Sequence, residues 1–276
     1  RRGRWCGYVD RMADSSPYAD DLRLAHVLAD QVERITMARF QAADLVVESK
    51  PDLTPVSDAD RSCEEAIRAQ LARSRGRDAV LGEEFGSSGN SQRRWIIDPI
   101  DGTKNYVRGV PVWATLIGLV DGEDCVVGLV AAPALGRRWW AAKGAGAWTG
   151  RSLAQAKQIH VSRVSQVADA SLSYSSLDGW RGLGRARNFL NLTSDLWRTR
   201  AYGDFWSYML VAEGAVDLAA EPELELYDMA ALVAIVEEAG GRFTSLDGAP
   251  GPWGGNALAS NGLLHDEVLR RLAPDA

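Results

Sequence analysis

The sequence predicts a protein of mixed class, in which an α+β half up to about residue 150 precedes an α/β half. Before residue 150, two helical segments lead into a run of apolar strands. After residue 150, short strand-like and helix-like segments alternate to the end of the chain. We therefore expect residues 1–18 to be an extension and disordered N-terminus with Met12 as the natural start, 19–150 the first half and 151–276 the second.

The first half begins with helices. Apolar residues recur in steps of three and four from Leu22 toward Phe40, which predicts an amphipathic helix. The segment "KPDLTPVSDAD" (50–60) contains two prolines and is interpreted as a loop that leads into a second helix. "AVLGEEF" and "RRWIIDP" predict short strands. The segment 112–135 predicts two apolar strands around the Asp121-Gly122 turn, and "RRWWAAK" predicts a third.

The second half alternates. "ASLSYSS", "LWRTRAYG", "AVDLAA", "GRFTSL" and "NALAS" predict strands. Helices are predicted over residues 180–192 and 205–213, and a long helix is predicted from Asp228. This order favours an α/β arrangement in the second half.

Composition excludes several classes of function. The chain has 276 residues, and its 31 basic and 37 acidic residues give a net charge of -6, so no basic field invites nucleic acid or an anionic membrane. No apolar run approaches the roughly 18 residues of a membrane span. The three cysteines, Cys6, Cys63 and Cys125, lack CxxC spacing, so neither a disulfide framework nor a zinc site is predicted. A reducing, cytoplasmic setting is expected.

Acidic residues occur at the edges of four predicted elements. They are Asp60, the pair Glu83 and Glu84, the pair Asp98 and Asp101, and Asp228. Clustered carboxylates repel one another unless a cation joins them. Oxygen ligands without histidine or thiolate favour a hard ion such as Mg²⁺ over zinc.

The segment "DPIDGT" is the most informative of these places. A turn with proline is satisfied by one acid, so the second acid needs another explanation, and Asp98 and Asp101 are candidates for sharing metals. Gly102 lets the backbone approach a ligand closely. Thr103 supplies a hydroxyl that could orient water, and the amides of Gly102 and Thr103 would form an anion cradle if they begin a helix.

Each piece also has a structural interpretation. Asp60 with Ser57 is a fair capping box, Asp228 is a fair N-cap, and "GEEF" alone is a typical exposed acidic turn. Lys50 is by default a solvated loop lysine. His26, His160 and His265 lie apart in the sequence and are interpreted as surface or capping residues.

Together, "GEE", "WIIDPIDGT" and "LYDMAALVAIVEEAGG" resemble the inositol-monophosphatase family of Mg²⁺-dependent phosphatases, from about Leu22 to the C-terminus. The resemblance implies an alternating five-layer αβαβα sandwich and a homodimer. It also implies two or three Mg²⁺ ions, with Mn²⁺ as a partial substitute. The implied metal ligands are Glu83, Asp98, the carbonyl of Ile100, Asp101 and Asp228. Thr103 with Glu83 would activate water, Asp60 would sit beside the site, and Lys50 matches a lysine of the family's mobile loop.

The downstream segments narrow the substrate. "WRTRAYGDF", "RGVPVWATLIGL" and "LSYSSL" resemble the histidinol-phosphate phosphatases within that family. Glu221 lies where family members place an acid that contacts the alcohol, and Asp204 follows Gly203 where sugar-alcohol phosphatases tend to carry a small residue. Two acids near the leaving group suit a cationic amino alcohol better than neutral inositol. Asp204 also has an alternative interpretation as a helix cap.

The expected chemistry is direct attack of an activated water on the phosphoryl group of a small phosphorylated metabolite. Three alternatives stay open at this point. One is an inositol-1-phosphate or broad sugar-alcohol phosphatase of the same family. Another is a haloacid-dehalogenase phosphatase, although its DxDGT motif separates the acids by one residue and here two residues, Pro99 and Ile100, intervene. The last is a non-catalytic binder of a phosphorylated metabolite, which would not need Glu83 and Thr103.

Overall fold

The computed structural model describes residues 16–50 and 54–274. Its helices pack against the faces of two β-sheets. They are α1 (Ala19–Arg39), α2 (Asp58–Ser74), α3 (Thr103–Val107), α4 (Ala186–Asp195), α5 (Asp204–Ala212), α6 (Leu226–Glu238) and α7 (His265–Leu272).

The strands form a two-stranded ribbon, an eight-stranded sheet and a five-stranded sheet. The ribbon contains β1 (Val47–Ser49) and β2 (Pro55–Ser57). The larger sheet contains β3 (Ala79–Gly82), β4 (Gly86–Ser88), β5 (Arg93–Asp101), β6 (Ala114–Asp121), β7 (Asp124–Ala132), β8 (Arg137–Ala142), β9 (Ala147–Gly150) and β10 (Lys157–Ile159). The smaller sheet contains β11 (Ser171–Ser173), β12 (Arg198–Arg200), β13 (Leu218–Glu221), β14 (Arg242–Thr244) and β15 (Ala257–Ser260).

Helices and sheets alternate in five layers. Helices α1 and α2 pack on the outer face of the eight-stranded sheet, and α5 and α6 lie between the two sheets. Helices α4 and α7 pack together on the far side of the five-stranded sheet, where α7 contacts β15. The predicted αβαβα sandwich is therefore confirmed.

The central strands of the larger sheet are buried on both faces. Leu116 and Val130 pack into the core with α5 and α6, whereas their neighbours Ile117 and Leu129 pack into the core with α1 and α2. Successive side chains of a strand point to opposite faces, so a strand covered on both sides reads as a continuous apolar run. This explains why the segment 112–135 carries no polar alternation.

Two glycines on this sheet set the position of α6. Gly118 on β6 is paired with Gly128 on β7. A Cβ atom on Gly128 would lie 2.2 Å from the carbonyl oxygen of Ala231, and one on Gly118 would lie 3.0 Å from the Ala231 nitrogen. Side chains at these two positions would push the helix away from the sheet. Because Asp228 is one turn before Ala231, the glycines also fix where that carboxylate lies.

Several predicted boundaries are corrected by the structure. Helix α6 begins at Leu226 and not at Asp228, since Glu225 is its N-cap. Helix α4 begins at Ala186 and not near Trp180, because a turn with Gly184 at φ +69° precedes it. Strand β10, which follows the predicted division at residue 150, still pairs with β9. We keep that division as a proposal, and residues 1–15 of the predicted extension lie outside the described residues.

The interpretation of the histidines as surface or capping residues is wrong for two of them. His265 is fully buried, with Nε2 2.9 Å from the Thr244 hydroxyl and Nδ1 2.8 Å from the Ser260 hydroxyl. His26 is also buried and packs edge-on against Trp140. Burial lowers the pKa of each imidazole to about 4, so both are neutral structural residues.

Among the cysteines, Cys63 and Cys125 are free thiols, and Cys6 lies outside the described residues. In the ranges 16–50 and 54–274, no helix is both long and apolar enough to cross a membrane.

Candidate active site

Three carboxylates meet where β5 ends and α6 begins. Asp98, Asp101 and Asp228 each offer an oxygen, and these oxygens all lie within 4.8 Å of one another. The structure thus brings Asp98 and Asp101 together, and Asp228 joins them although it is 127 residues beyond Asp101 in the chain. That the aspartates share metals stays a prediction.

A bulge in β5 lets the two aspartates act together. Residues three apart on a regular strand point to opposite faces. Here Asp98 is opposite Leu116 while Asp101 is opposite Ala114, so one extra residue is inserted on β5. The Thr115 hydroxyl donates to the Pro99 carbonyl at 2.7 Å and holds the bulge. The second residue between the acids therefore brings both carboxylates to the same side.

The first turn of α6 holds Asp228. The carboxylate Oδ2 accepts the N–H of Glu225 at 2.7 Å, and the Glu225 side chain accepts the N–H of Asp228 in return. This reciprocal capping box satisfies two donors at the start of the helix. The N-cap interpretation of Asp228 is wrong by three positions, because Glu225 is the cap and Asp228 is the third helical residue.

The three clustered carboxylates repel one another, and a bound cation would relieve this repulsion. Burial raises the pKa of Asp98 well above its usual range, and Glu83, Asp101 and Asp228 raise it further. Burial also raises the pKa of Asp228 to about 7. The Asp98 Oδ1 atom is buried and has no hydrogen-bond partner in the described part of the chain. One buried and two half-buried carboxylates, with an unpaired oxygen among them, fit a hard divalent ion such as Mg²⁺.

Glu83 lies directly after β3 and interacts with Lys50 in this structure. The Lys50 ammonium is 2.6 Å from Glu83 Oε1 and 2.7 Å from Glu84 Oε1. Although burial lowers it, the pKa of Lys50 is raised overall by these two hydrogen bonds. The interpretation of Lys50 as a solvated loop lysine is therefore wrong, and Glu84, to which the sequence assigned no separate role, shares its charge.

The start of α3 supplies the predicted glycine and threonine. Gly102 is the N-cap of this short helix with φ +82°, a conformation that favours glycine. The Thr103 hydroxyl donates to the Ile100 carbonyl at 2.9 Å. Gly102 and Thr103 line the same cavity of about 410 Å³ as Lys50, Glu83 and Asp228.

Asp60 is fully buried in the first turn of α2. It forms the predicted capping box with Ser57, whose N–H and hydroxyl donate to Oδ2 at 2.8 and 2.5 Å. Burial raises the pKa of Asp60 to about 6, the Ser57 hydrogen bonds lower it, and Glu83 raises it further. Its Oδ1 atom is buried and unpaired within residues 16–50 and 54–274. A role beside the catalytic acids stays a prediction.

Asp204 is not a helix cap. Gly203 is the N-cap of α5, and Asp204 follows it with φ +48°, which is unusual for a residue with a side chain. Its Oδ2 accepts the Asn105 amide at 3.0 Å, and its N–H donates to the Ser175 hydroxyl at 2.8 Å. These two partners hold the strained backbone of Asp204 in place. The Asp204 carboxylate then lies next to Gly102, because a Cβ atom built on Gly102 would lie 3.2 Å from Asp204 Oδ2.

Glu221 ends β13 and is buried near these acids. Burial raises its pKa to about 8, hydrogen bonds from the Ser175 and Tyr208 hydroxyls lower it, and Asp204 raises it again. Neither Ser175 nor Asn105 was singled out by sequence reasoning, because a lone serine or asparagine gives no local signal of what it contacts.

Carboxylates gathered around the end of a strand, with a threonine and a glycine turn beside them, are typical of metal-dependent phosphoryl-transfer enzymes. A sequence profile of the Inositol monophosphatase family matches residues 20–274. The chain belongs to the inositol monophosphatase family.

Individual relatives agree with this assignment. A histidinol-phosphatase from Streptomyces coelicolor is 66% identical over 91% of this chain and 96% of its own length. A histidinol-phosphatase from Mycobacterium tuberculosis is 58% identical over 92% of this chain and 98% of its own length. Among solved structures, an IMPase from Thermotoga maritima superposes with a TM-score of 0.81 at 29% identity, covering 92% of this chain and 96% of that one.

Proposed function

We propose that the chain is a Mg²⁺-dependent phosphomonoesterase that hydrolyses L-histidinol phosphate to L-histidinol and phosphate, a step of histidine biosynthesis. The observation that carries the choice of substrate is the Glu221 carboxylate, which is buried next to a second acid, Asp204. Burial raises the pKa of Glu221 to about 8 and Asp204 raises it further, so a cation placed beside the two acids would stabilise their ionised forms. The two relatives at 66% and 58% identity, both histidinol-phosphatases, support the same substrate.

The charge of the substrate explains the preference. Histidinol carries an ammonium group and an imidazole beside the scissile ester, whereas inositol is neutral. An ammonium placed near Glu221 and Asp204 favours their ionised forms and can donate a hydrogen bond to either carboxylate. A hydrogen bond to a charged group contributes about 1.5 to 3 kcal/mol, and a neutral alcohol would leave both acids without that partner.

The metal ligands in this proposal are Asp98, Asp101, Asp228, Glu83 and the carbonyl of Ile100. When bound, Mg²⁺ would neutralise the mutual repulsion of these acids, polarise the phosphoryl oxygens and acidify a water. We propose two or three ions, with Mn²⁺ as a partial substitute, because every proposed ligand atom is an oxygen.

Glu83 and Thr103 prepare the attacking water. The Thr103 hydroxyl is fixed by the Ile100 carbonyl at 2.9 Å, so its oxygen is oriented to accept a hydrogen bond from that water. Glu83 takes the proton as the water oxygen bonds to phosphorus. The bond between phosphorus and the ester oxygen breaks, the leaving oxygen takes a proton from solvent water, and Glu83 returns its proton to solvent, so that no phosphoenzyme forms. Gly102 and Gly203 leave room for the phosphate and the alcohol, and Asp60 supports the water from the side of α2.

The wider setting is part of the same proposal. The substrate is a small phosphorylated metabolite, and neither nucleic acid nor a membrane is a partner. We propose a homodimer in the cytoplasm, which the family resemblance and the free thiols of Cys63 and Cys125 support.

Removal of the metal tests the proposed chemistry. Release of phosphate from L-histidinol phosphate is expected to stop in excess EDTA, because the clustered acids then lack the cation that would polarise the phosphoryl group and acidify the attacking water. Addition of Mg²⁺ beyond the chelator should restore the rate, and Mn²⁺ should restore part of it. EDTA saturated with Mg²⁺ beforehand is the control for effects of the chelator itself. Full turnover in excess EDTA would contradict the proposal.

A further inference from the structure

A carboxylate outside the cavity holds the turn that carries Glu83. Glu64 lies on α2 and is fully buried. Its Oε2 accepts the N–H of Glu84 at 2.7 Å, and its Oε1 accepts the N–H of Phe85 at 3.2 Å. One buried side chain thus binds two successive backbone donors of the turn between β3 and β4.

Arg68 neutralises the charge of Glu64 and binds two further groups of β4. The Arg68 Nε atom donates to Glu64 Oε1 at 2.7 Å, one helical turn away. The two terminal nitrogens of the guanidinium donate to the Gly86 carbonyl and to the Ser88 hydroxyl. A buried carboxylate is stable when it is paired and hydrogen-bonded in this way.

The sequence leaves space for this carboxylate. Gly82 is the last residue of β3, and a Cβ atom built on it would lie 2.0 Å from Glu64 Oε1. Because this is far below a contact distance, any other residue at position 82 would displace the carboxylate. The glycine of the "GEE" segment is therefore explained by Glu64, and not by an unusual turn.

Glu83 is held from both sides. Its own N–H donates to the Ile97 carbonyl of β5 at 3.2 Å, next to Asp98. The following N–H, that of Glu84, donates to Glu64. With both flanking amides fixed, the Glu83 side chain has a defined origin relative to the aspartates on β5.

We infer that Glu64, braced by Arg68, is a positioning residue that fixes Glu83 for metal binding by holding the backbone amides of Glu84 and Phe85. The inference rests on the proposed function only in taking Glu83 as a metal ligand. Changes to residues that orient metal ligands typically cost about 10- to 100-fold in metal affinity or activity.

Glu64→Gln tests this role. The amide keeps the volume but replaces one acceptor oxygen with a donor, so a backbone N–H or Arg68 then faces another donor. We expect the Kd for Mg²⁺, measured by titration calorimetry without substrate, to rise about 10- to 100-fold. The activity should recover in large part at high Mg²⁺.

Asp21→Asn is the matched control. Asp21 is also a buried carboxylate, and it accepts the Nε atom of Arg75 at 2.8 Å and a terminal nitrogen of Arg93 at 2.9 Å. Its change should lower the melting temperature in a similar way and leave the Kd for Mg²⁺ unchanged. An unchanged Kd in the Glu64 variant, or an equal rise in both variants, would overturn the inference.

A second variant covers a failure of the first to fold. Arg68→Lys keeps the charge but loses the fork to Gly86 and Ser88, so the Kd for Mg²⁺ should rise by a smaller factor. An unchanged Kd in this folded variant would also overturn the inference. If the unaltered chain itself bound no Mg²⁺, the proposed function would fail first, so the two failures are distinguishable.

Discussion

Replacement of Asp101 with asparagine is expected to lower kcat about 10³-fold or more while the fold stays intact. Asp101 is one of the three carboxylates whose oxygens lie within 4.8 Å of one another. Burial raises its pKa well above the usual range, and Asp204 and Asp228 raise it further. A neutral ligand at this position weakens the hold on the cation that the proposed reaction needs.

The fold should tolerate this change well. Asp101 Oδ2 accepts the N–H of Phe205 at 2.8 Å, and the asparagine oxygen can accept the same bond. Removal of one of several buried like charges also relieves repulsion. We therefore expect the melting temperature without metal to be unchanged or raised, as measured by thermal unfolding in EDTA.

Asp217→Asn serves as the control for Asp101→Asn. Asp217 is a buried aspartate that likewise accepts a backbone N–H, that of Ser171 at 2.7 Å, and it lies directly before β13 of the five-stranded sheet. Its change should affect stability and leave kcat close to the native value. Near-native turnover of the Asp101 variant at saturating Mg²⁺ would count against the assigned role.

Glu221→Gln is expected to reduce kcat/KM for L-histidinol phosphate about 10- to 100-fold, with a much smaller loss for glycerol 2-phosphate. The buried carboxylate offers the substrate ammonium a charged acceptor. Glutamine keeps the shape but removes the charge, so only a cationic substrate loses a strong contact. Steady-state kinetics on both substrates measure the difference.

Glu213→Gln is the matched control for this specificity change. Its carboxylate is also largely buried and accepts the Trp139 indole N–H at 2.6 Å as well as Arg137. The variant should lose stability without any change in the preference between the two substrates. Equal losses on both substrates in the Glu221 variant would mean that Glu221 supports the metal site and does not read the amine.

Much of the fold could be predicted because long apolar runs and helical spacing are local signals. The strands β5, β6, β7 and β8 and the helix α1 were all predicted near their observed positions. The short strands β1, β2, β4, β9 and β10 were not predicted, because they are not marked by apolar runs, and the interpretation of residues 50–60 as a loop is wrong for β2. Helix α7 was also not predicted. The sequence around His265 did not indicate that this side chain is buried.

The acids of the site could be predicted as a group, but their geometry could not. That Asp98 and Asp101 share one side depends on the bulge opposite Leu116 and Ala114, which only the pairing register reveals. The approach of Asp228 depends on Gly118 and Gly128, which look like ordinary strand glycines in the sequence. Local patterns give residue types, whereas contacts between distant segments depend on the folded chain.

The contacts of Glu64 and Arg68 that hold the turn of Glu83 could not be predicted from the sequence either. Glu64 and Arg68 are spaced as an exposed ion pair on a helix surface, which is a common solvated arrangement. In the structure the pair is turned inward, because the backbone amides of Glu84 and Phe85 need an acceptor there. Only the position of β3 beside α2 reveals this use.

The central claim is that the acidic pocket selects a cationic amino alcohol, and a comparison of two substrates tests it most directly. The measurement is kcat/KM of the unaltered chain for L-histidinol phosphate and for inositol 1-phosphate at saturating Mg²⁺. One charge-assisted contact predicts a preference of roughly 10- to 100-fold for L-histidinol phosphate, and two contacts predict more. Comparable values for the two substrates would contradict the claim and would place the chain among the general sugar-alcohol phosphatases of its family.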